Sequence, residues 1–461
     1  MKKIGIIGCG FAGTMTAVQI INKSNVPCEI IVIDKQEKLN RGIAYSTSSP
    51  KHLLNVIAGK MSAFPENSNH FLEWVMAINE FKNQDKALVT NSFLPRKLYG
   101  QYLETIWKDA VALASAKNIK LKVIHDNVTE LNISGNGFTI GFNNKTKIEI
   151  DQCVLATGNQ IPRNPNISNQ SFYTSKNYFQ NPWQNESVKN TDDNFPILII
   201  GNGLTMVDSV LALLENGFKN EIYSISPNGF NILPHRSTTL KYSKLVEELN
   251  EHLSLFDLVK LVNKHLKKAK SIGIPTETVI DSLRPYTQMI WKNLSEKEKL
   301  IFMSRLRHLW GVARHRIPMQ TYNQLQQLRS ENKLHIKSGK IIGFTEFQEN
   351  IIVEYFDKKE AYTKKIPVSR IINCTGPETD LMNLGENFLK NCLLNGILKQ
   401  DNLKLGISTN TETFEVIAAN GKANPNLFTI GSNLKGELWE STAVNEIRIQ
   451  AEKLAVQIMG N

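Results

Sequence analysis

The 461-residue sequence predicts an α/β protein made of two copies of one supersecondary plan, with a helical insertion in the second copy. Three observations predict this class. A buried strand, a glycine turn and an apolar-periodic helix follow one another at the N-terminus, and the same order recurs from Ile197. Each copy later ends in a buried strand and a threonine–glycine pair, Thr157-Gly158 and Thr375-Gly376. Two such copies of nearly equal span are difficult to obtain by chance.

The first copy opens as a strand–helix–strand unit over residues 4–7, 14–22 and 28–33. Mostly helical sequence follows, and then a strand, a hairpin with a polar turn and the closing strand. The later strands are predicted at residues 120–125, 138–142, 147–150 and up to Asn159.

The second copy has a strand from Ile197, a helix over about 205–216 and a strand over 221–225, with later strands at 334–337 and 351–356. Helical periodicity dominates residues 241–332, which we interpret as the insertion. A strand at 427–430 and a helix at about 442–459 return the chain to the first copy. The predicted first domain therefore comprises residues 1–190 and 378–461, and the second comprises residues 195–377.

Composition narrows the classes of function. Lys and Arg number 54 against 43 Asp and Glu, a net charge of +11, but the basic residues are scattered, which favours anionic cofactors and substrates over nucleic acid. The five cysteines are odd in number and lie far apart in apolar sequence, which is typical of reduced thiols and a cytoplasmic location. No apolar run reaches about 18 residues, and no signal-peptide pattern opens the chain, so no membrane association is expected.

The first glycine turn, GCGFAG, spans Gly8 to Gly13 between a buried strand and a helix. Its glycines permit the tight turn, the approach of backbone amides to a pyrophosphate and close packing of helix on strand. Asp34 ends the next strand, where a carboxylate accepts hydrogen bonds from ribose hydroxyls. The pattern predicts a dinucleotide site; the alternative is a structural glycine turn.

The second turn, GNGLTMVD from Gly201, has Met206 where a third glycine would stand. It is still predicted to be a phosphate-binding turn. The strand that follows ends without a carboxylate, which removes the ribose acceptor expected for NADH, and His235 and Arg236 are the nearest basic residues. We favour NADPH over NADH, although neither is excluded.

Several longer motifs carry a family resemblance. They are RGIAYS at 41–46, HLLNV at 52–56, FLPRKLYGQYL at 93–103, VLATGN, INCTGP and GELWESTAVNEIR at 436–448. With the two glycine turns, they make the chain resemble the bacterial FAD/NAD(P)-binding flavoproteins, a family that includes a flavoprotein urate hydroxylase. The chain is more distantly similar to flavin N-hydroxylases and Baeyer–Villiger monooxygenases. The resemblance implies two Rossmann-like domains of the glutathione-reductase type.

The resemblance also implies where the flavin lies. Arg96 and Tyr99 are expected near it, and the helix opening at Thr442 is expected to point its N-terminus at the flavin pyrimidine, where it would stabilise the negative charge of reduced flavin. Thr442 could also cap that helix, and the two roles are compatible. The candidate cofactor-binding residues are Gly8, Gly10, Phe11, Ala12, Gly13, Asp34, Arg41, Tyr45, His52, Asn55, Arg96, Val128, Thr157, Gly158, Gly201, Gly203, Thr205, Gly431, Thr442 and Ala443.

Some polar residues have two interpretations. His52 would lie beside the flavin, yet we favour a structural hydrogen bond for it. Asp208 would complement the dipole of the second phosphate helix. The basic cluster RHLWGVARHR at 307–316 would either face a substrate or form a solvated helix end anchored by Trp310.

These features predict an FAD enzyme reduced by NADPH or NADH. We favour a monooxygenase that hydroxylates a small, possibly nitrogenous molecule, because the sequence lacks the paired cysteines of disulfide reductases and any metal-ligand spacing. The alternatives are an oxidoreductase that passes electrons to a quinone or protein, and a flavin-binding protein without turnover. No catalytic acid or base is assigned, and the oligomeric state stays open.

Overall fold

The computed structural model describes residues 1–236, 240–250 and 252–460. Two parallel-centred sheets and a three-stranded meander form the β-structure. The strands are β1 (Lys2–Ile7), β2 (Cys28–Asp34), β3 (Lys120–His125), β4 (Val128–Ser134), β5 (Gly137–Phe142), β6 (Lys147–Ile150), β7 (Gln152–Leu155), β8 (Tyr178–Phe179), β9 (Ile197–Ile200), β10 (Ile222–Ser226), β11 (Leu334–Phe347), β12 (Asn350–Asp357), β13 (Tyr362–Val368), β14 (Arg370–Asn373), β15 (Glu415–Ile417) and β16 (Ala423–Thr429).

The α-helices lie on the faces of the sheets or in the insertion. They are α1 (Phe11–Lys23), α2 (Gly42–Tyr45), α3 (His70–Ala77), α4 (Lys86–Thr90), α5 (Arg96–Ala116), α6 (Leu204–Glu215), α7 (Lys244–Glu247), α8 (Leu255–Ser271), α9 (Thr276–Ser282), α10 (Thr287–Asn293), α11 (Glu296–Ile301), α12 (Arg307–Arg314), α13 (Met319–Ser330), α14 (Phe388–Leu394) and α15 (Val444–Met459). A π-helical turn at Phe302–Leu306 joins α11 to α12.

The first sheet has the order β15-β16-β7-β1-β2-β3. β1 pairs in parallel with β2 and β7, and both β1 and β2 are almost continuously buried, as expected of parallel strands covered on two faces. Alternate residues divide between two cores: Ile4 and Ile6 pack with α1, α5 and α15, whereas Ile7 packs with the β4–β6 meander and α14. The predicted α/β class is confirmed.

The second sheet has the order β13-β12-β11-β10-β9-β14-β8. Its parallel core pairs β10 with β9 and β11, and β9 with β14. The long β11 then continues into antiparallel pairing with β12. One predicted boundary needs correction: Tyr178–Phe179, which the sequence assigned to the first domain, pairs with β14 and is the edge of the second sheet.

We call the first sheet with the helices packed on it the first unit, and the second sheet with its helices the second unit. The insertion is helical, as predicted, but its C-terminal helix belongs to the second unit. Leu325 and Leu328 of α13 pack with Leu334 in the core beneath β10, so α13 is the crossover into β11. The helices before it contact the first unit, where Trp291 stacks on Trp439 with 4.8 Å between ring centroids. Within the described residues, no helix combines the length and apolar character needed to cross a bilayer.

Candidate functional site

The first glycine turn lies at the carboxyl end of β1. Gly8 has a φ of 102°, in the left-handed region that favours glycine, and a Cβ there would overlap the Ala156 carbonyl oxygen. A Cβ on Gly13 would overlap the Gly8 carbonyl oxygen. The turn therefore packs as tightly as its sequence predicts, and α1 begins directly behind it at Phe11, with no side chain capping its first amides.

Asp34 lies beside this turn at the end of β2. Its carboxylate accepts hydrogen bonds from the Cys9 amide at 2.6 Å and the Gln36 amide at 2.9 Å. Both bonds fix the carboxylate beside the turn, where the adenosine ribose of a bound dinucleotide would lie. Burial raises the pKa of the Cys9 thiol to about 11, so this cysteine is an inert packing residue.

Arg41 and Gly42 close the same region from the opposite side. Gly42 has a φ of 55°, and a Cβ there would lie 3.1 Å from the Gly10 Cα. The Arg41 Nη2 atom forms a 2.6 Å ion pair with Glu104, so its charge is already partly compensated within the first unit. Both predicted candidates, Arg41 and Gly10, therefore lie at the turn.

Tyr45 and Tyr99 form an aromatic wall next to the turn. Their ring centroids are 4.6 Å apart, and Phe11 lies 6.2 Å from Tyr99. The Tyr99 hydroxyl is buried and has no hydrogen-bond partner among the described residues. Burial raises the pKa of Tyr99 well above its ordinary value, so the hydroxyl remains a donor available to a ligand.

The C-terminal segment supplies the other side of the site. Gly431 follows β16 with a φ of 76°, and its amide donates to the Gln450 side chain at 3.1 Å. A Cβ on Gly431 would lie 3.4 Å from the Ala12 Cβ, so this segment meets the start of α1. The Thr157 hydroxyl donates to Asn433 at 3.3 Å, which brings the threonine–glycine pair to the same place.

Several buried polar atoms of this segment lack a partner in the part of the chain that the structure describes, among them Ser432 Oγ, Asn445 Oδ1 and Glu446 Oε2. Buried polar groups are normally hydrogen-bonded, so such a group of atoms indicates a polar ligand. The isoalloxazine ring and ribityl chain of FAD carry matching donors and acceptors. The residues present therefore fit FAD.

The capping interpretation of Thr442 is wrong. The helix α15 begins at Val444, Ala443 occupies the N-cap position, and no side chain caps the first turn. Thr442 is exposed, and the preceding Ser441 hydroxyl bonds to the Gly431 carbonyl at 2.8 Å. The first amides of α15 are thus available to a ligand.

Among the remaining candidates, Val128 is buried in the core between the first sheet and the meander.

The second glycine turn repeats the geometry of the first. Gly201 has a φ of 107°, and a Cβ there would overlap the Cys374 carbonyl oxygen, which belongs to the second threonine–glycine segment. Gly203 has open space where its Cβ would stand, and Thr205 lies in the first turn of α6. Met206 is buried in the core of the second unit. A phosphate could approach this turn as closely as the first.

His235 and Arg236 are the basic residues that the sequence offers for a nucleotide at the second turn, and both have partners within the protein. The Arg236 Nε atom lies 2.5 Å from Glu277, and the His235 Nε2 atom lies 2.9 Å from the Asn55 carbonyl oxygen. A cation that sequence reasoning missed, Lys358, donates to the Pro227 carbonyl at 2.7 Å, one residue beyond the end of β10. That strand end is where the adenosine ribose of a dinucleotide lies. No sequence pattern linked Lys358 to the end of β10, because the lysine belongs to a hairpin that is distant in sequence.

The first unit meets the helix behind the second glycine turn across a polar contact. The Arg96 guanidinium donates to the Asp208 carboxylate at 2.7 Å and to the Leu53 carbonyl at 3.0 Å. Both side chains are largely buried, with 15% and 8% of their surfaces exposed. Asp208 was interpreted as a partner of the helix dipole alone, yet a buried acid among apolar helix residues is rarely unpaired, and that signal could have indicated a cation.

The same contact includes His52, whose ring bonds to the Thr47 hydroxyl at 2.7 Å and to the Asp208 carbonyl at 2.9 Å. His52, Asn55 and Arg96 therefore contact the second unit. A role for them as cofactor ligands stays a prediction, and a structural hydrogen bond for His52 agrees with these distances.

Residues 5–160 match the family model for FAD-NAD(P)-binding proteins. No curated protein sequence matches significantly. Among solved structures, the ornithine N-hydroxylase of Kutzneria sp. 744 is similar with a TM-score of 0.65 at 12% identity, covering 99% of this chain and 98% of that chain. L-lysine 6-monooxygenase from Pseudomonas syringae has a TM-score of 0.65 at 14% identity, covering 100% and 99%.

A disulfide reductase shares the architecture too. The bacillithiol disulfide reductase of Staphylococcus aureus has a TM-score of 0.54 at 13% identity, covering 100% of this chain and 99% of that chain. At such identities the similarity establishes the fold: two Rossmann-like units of the kind found in flavin monooxygenases and reductases.

Proposed function

We propose that this chain is an FAD-dependent oxidoreductase that takes hydride from NAD(P)H and, as a monooxygenase, hydroxylates a small nitrogenous substrate. The observation that carries the proposal is the pair of glycine turns, at Gly8 and Gly201. Each lies at the end of a buried parallel strand, and the two units are joined through Arg96 and Asp208. One turn would hold the flavin nucleotide and the other the nicotinamide nucleotide.

The first unit would bind FAD through its backbone. The amides from Gly8 to Gly13 would hold the pyrophosphate and the Asp34 carboxylate the ribose, while Ser432 and Asn445 would hydrogen-bond the flavin portion. Bound FAD accepts hydride and, once reduced, reacts with oxygen. The uncapped amides at the start of α15 would stabilise negative charge that develops on the reduced ring.

The second unit would bind the nicotinamide nucleotide at Gly201, Gly203 and Thr205. The proposal divides the chain into an FAD-binding domain, residues 1–190 and 378–461, and an NAD(P)-binding domain, residues 195–377, apart from the β8 edge strand. The contact of His52 and Arg96 with α6 would hold the two domains in register, so that the nicotinamide reaches the flavin.

The monooxygenase assignment is favoured by the cysteines. The thioredoxin-reductase and glutathione-reductase mechanisms use a redox-active dithiol beside the flavin. All five cysteines of this chain are free and buried, and burial raises the pKa of Cys9 to about 11 and of Cys374 to about 12. None of these thiols is poised as a thiolate. Such thiols also suit a reducing compartment, for which we propose the cytoplasm.

The nitrogenous substrate is supported by relatives. The similar solved enzymes act, by their names, on ornithine and lysine. The motifs that resemble flavoprotein urate hydroxylases add urate to the candidates.

The test is anaerobic mixing of the yellow protein with NADPH or NADH in a stopped-flow instrument, followed by oxygen. A monooxygenase bleaches with the nicotinamide and reoxidises through a transient absorbance change, and substrate suppresses peroxide release.

The alternatives give different results in the same experiment. An oxidoreductase that serves a quinone or protein bleaches but completes turnover under argon with another electron acceptor. A binding protein without turnover does not bleach with either nicotinamide.

A further inference from the structure

A cluster of aromatic and cationic residues lies where the helical insertion meets the loop between β16 and α15. Trp439 stacks on Trp291, and Phe302 packs edge-on against it at 5.3 Å. The Trp291 indole donates to the Gly436 carbonyl at 2.8 Å, which holds the insertion against this loop. The loop connects Gly431 to the start of α15, and both ends of it belong to the proposed flavin site.

Two cations of this cluster, Lys435 and Arg307, have no carboxylate partner in the described part of the chain. The Lys435 ammonium lies 5.5 Å from the centre of the Trp439 ring, and neither it nor Arg307 forms an ion pair. Among the described residues, the Arg307 guanidinium hydrogen-bonds the neighbouring His308 ring alone, at 3.3 Å. Leu306, directly before Arg307, packs against the cluster that holds Trp291 and Trp439, so Arg307 begins its helix beside the ring that Lys435 covers. Burial first, and then the Arg307 charge, lower the pKa of Lys435.

An acid of the same loop, Glu440, already has a cationic partner. Glu440, with a φ of 65°, accepts hydrogen bonds from the Trp310 indole at 2.8 Å and from Arg314 at 3.2 and 3.3 Å. Its charge is therefore compensated by Arg314 and not by Lys435 or Arg307. Like charges held together without an anion are destabilising, so a built cluster of this kind indicates an anionic ligand.

Unpartnered donors point to the same ligand. Trp439 is 6% exposed, and its indole N–H has no acceptor among the described residues. The amide nitrogen of Gln288, one helical turn before Trp291, is buried without an acceptor too. A buried donor left unsatisfied is destabilising, and a carboxylate would satisfy donors and cations together.

We propose that this cluster is the substrate pocket and that its ligand carries a carboxylate or a similar planar anion, bound between Lys435, Arg307 and the Trp439 indole. The inference rests on the proposed function, since it gives the nitrogenous substrate a negative charge. Such a pocket would discriminate between molecules of equal size, because its two cations attract an anion and repel a positively charged amine.

The test uses the FAD-loaded full chain and two probes with the same ring and opposite charge, benzoate and benzylamine. Isothermal titration should show benzoate binding and no comparable binding of benzylamine. Lys435→Gln and Arg307→Gln should each weaken benzoate binding about tenfold, the value expected for loss of one charge-assisted hydrogen bond. Lys297→Gln, an exposed lysine of α11, is the matched control and should bind as the wild type does.

FAD content, melting temperature and anaerobic bleaching by NADPH are measured on the same preparations. Benzoate binding that is unchanged in both variants, or benzylamine binding equally well, overturns the anion pocket. Loss of FAD from both variants with unchanged benzoate affinity assigns the cations to the cofactor phosphates and overturns it too. Benzoate binding without bleaching leaves the pocket standing and refutes the proposed redox function.

Discussion

The Arg96 guanidinium and the Asp208 carboxylate, 112 positions apart in the sequence, form a 2.7 Å ion pair that joins the two nucleotide-binding units. Arg96 begins α5, and its backbone amide bonds to the His52 carbonyl, so the pair is anchored on a rigid segment of the first unit. Asp208 lies on the helix that opens behind the second glycine turn. This ion pair therefore contributes to the orientation of the second unit relative to the first.

Asp208→Ala should weaken the joint between the units. It leaves the largely buried Arg96 charge unpaired, which should lower the free energy of unfolding by about 3 kcal/mol. Flavin reduction by NADPH should slow while FAD content stays unchanged. Chemical unfolding and stopped-flow reduction measure the two effects.

Glu452→Ala is the control for that change, because its pair with Lys23 lies within the first unit and is about one-third exposed. It should cost less than about 1 kcal/mol and leave reduction unaffected. Equal reduction rates in wild type and Asp208→Ala would exclude a positioning role.

Gly13→Ala should abolish FAD binding. The added methyl group would overlap the Gly8 carbonyl oxygen, and neither backbone segment can move without opening the turn. Overpacking of this kind costs about 1–3 kcal/mol in addition to the loss of cofactor. Flavin absorbance of the purified protein measures occupancy. Gly385→Ala, where a Cβ meets open space, should retain its colour; a fully yellow Gly13→Ala protein would refute the assignment of the turn.

His235 should make stability depend on pH. Burial lowers the pKa of its imidazole below the ordinary value, against the opposing effect of the hydrogen bond to Asn55. Below about pH 6.5 the unfolded chain therefore binds a proton that the folded chain resists, and stability falls as the pH decreases.

The measurement compares the melting temperature at about pH 7.5 with the melting temperature at about pH 5.5. His235→Gln should lose less on acidification than wild type, by about 1 °C or more. His125→Gln, on the exposed end of β3, should behave as wild type. An equal decrease in melting temperature in wild type and His235→Gln would show that His235 does not cause the pH dependence.

Lys358 should distinguish NADPH from NADH. Its ammonium group lies against Pro227 beyond β10, where the 2′-phosphate of NADPH would add a charge-assisted contact. Lys358→Gln should raise KM for NADPH about threefold, a value suited to an exposed charge, and leave KM for NADH unchanged. Lys365→Gln, exposed on β13, is the control. Parallel increases for both nucleotides would contradict this role.

Local patterns predicted the two strand–turn–helix units because each unit is contiguous in sequence and its glycines stand where a side chain would not fit. Gly8, Gly13 and Gly201 all occupy positions where a side chain would overlap backbone. The helix at α15 was placed within two residues, although its cap was not, since Thr442 resembles a capping residue but is exposed.

Long-range contacts could not be predicted in the same way. The pairing of Tyr178–Phe179 with β14, the approach of Lys358 to Pro227 and the pairing of Arg96 with Asp208 depend on where the chain returns. Periodicity reports which face of an element is buried, but not which element covers it. For this reason α13 was assigned to the insertion although it packs in the second core.

The most direct test of the account is anaerobic addition of NADPH and of NADH to the purified, FAD-loaded protein. Two nucleotide sites held in register by Arg96 and Asp208 predict that the yellow flavin bleaches with at least one of them, and more slowly in Asp208→Ala. Protein that cannot be loaded with flavin, or that stays yellow with both nucleotides, would contradict it.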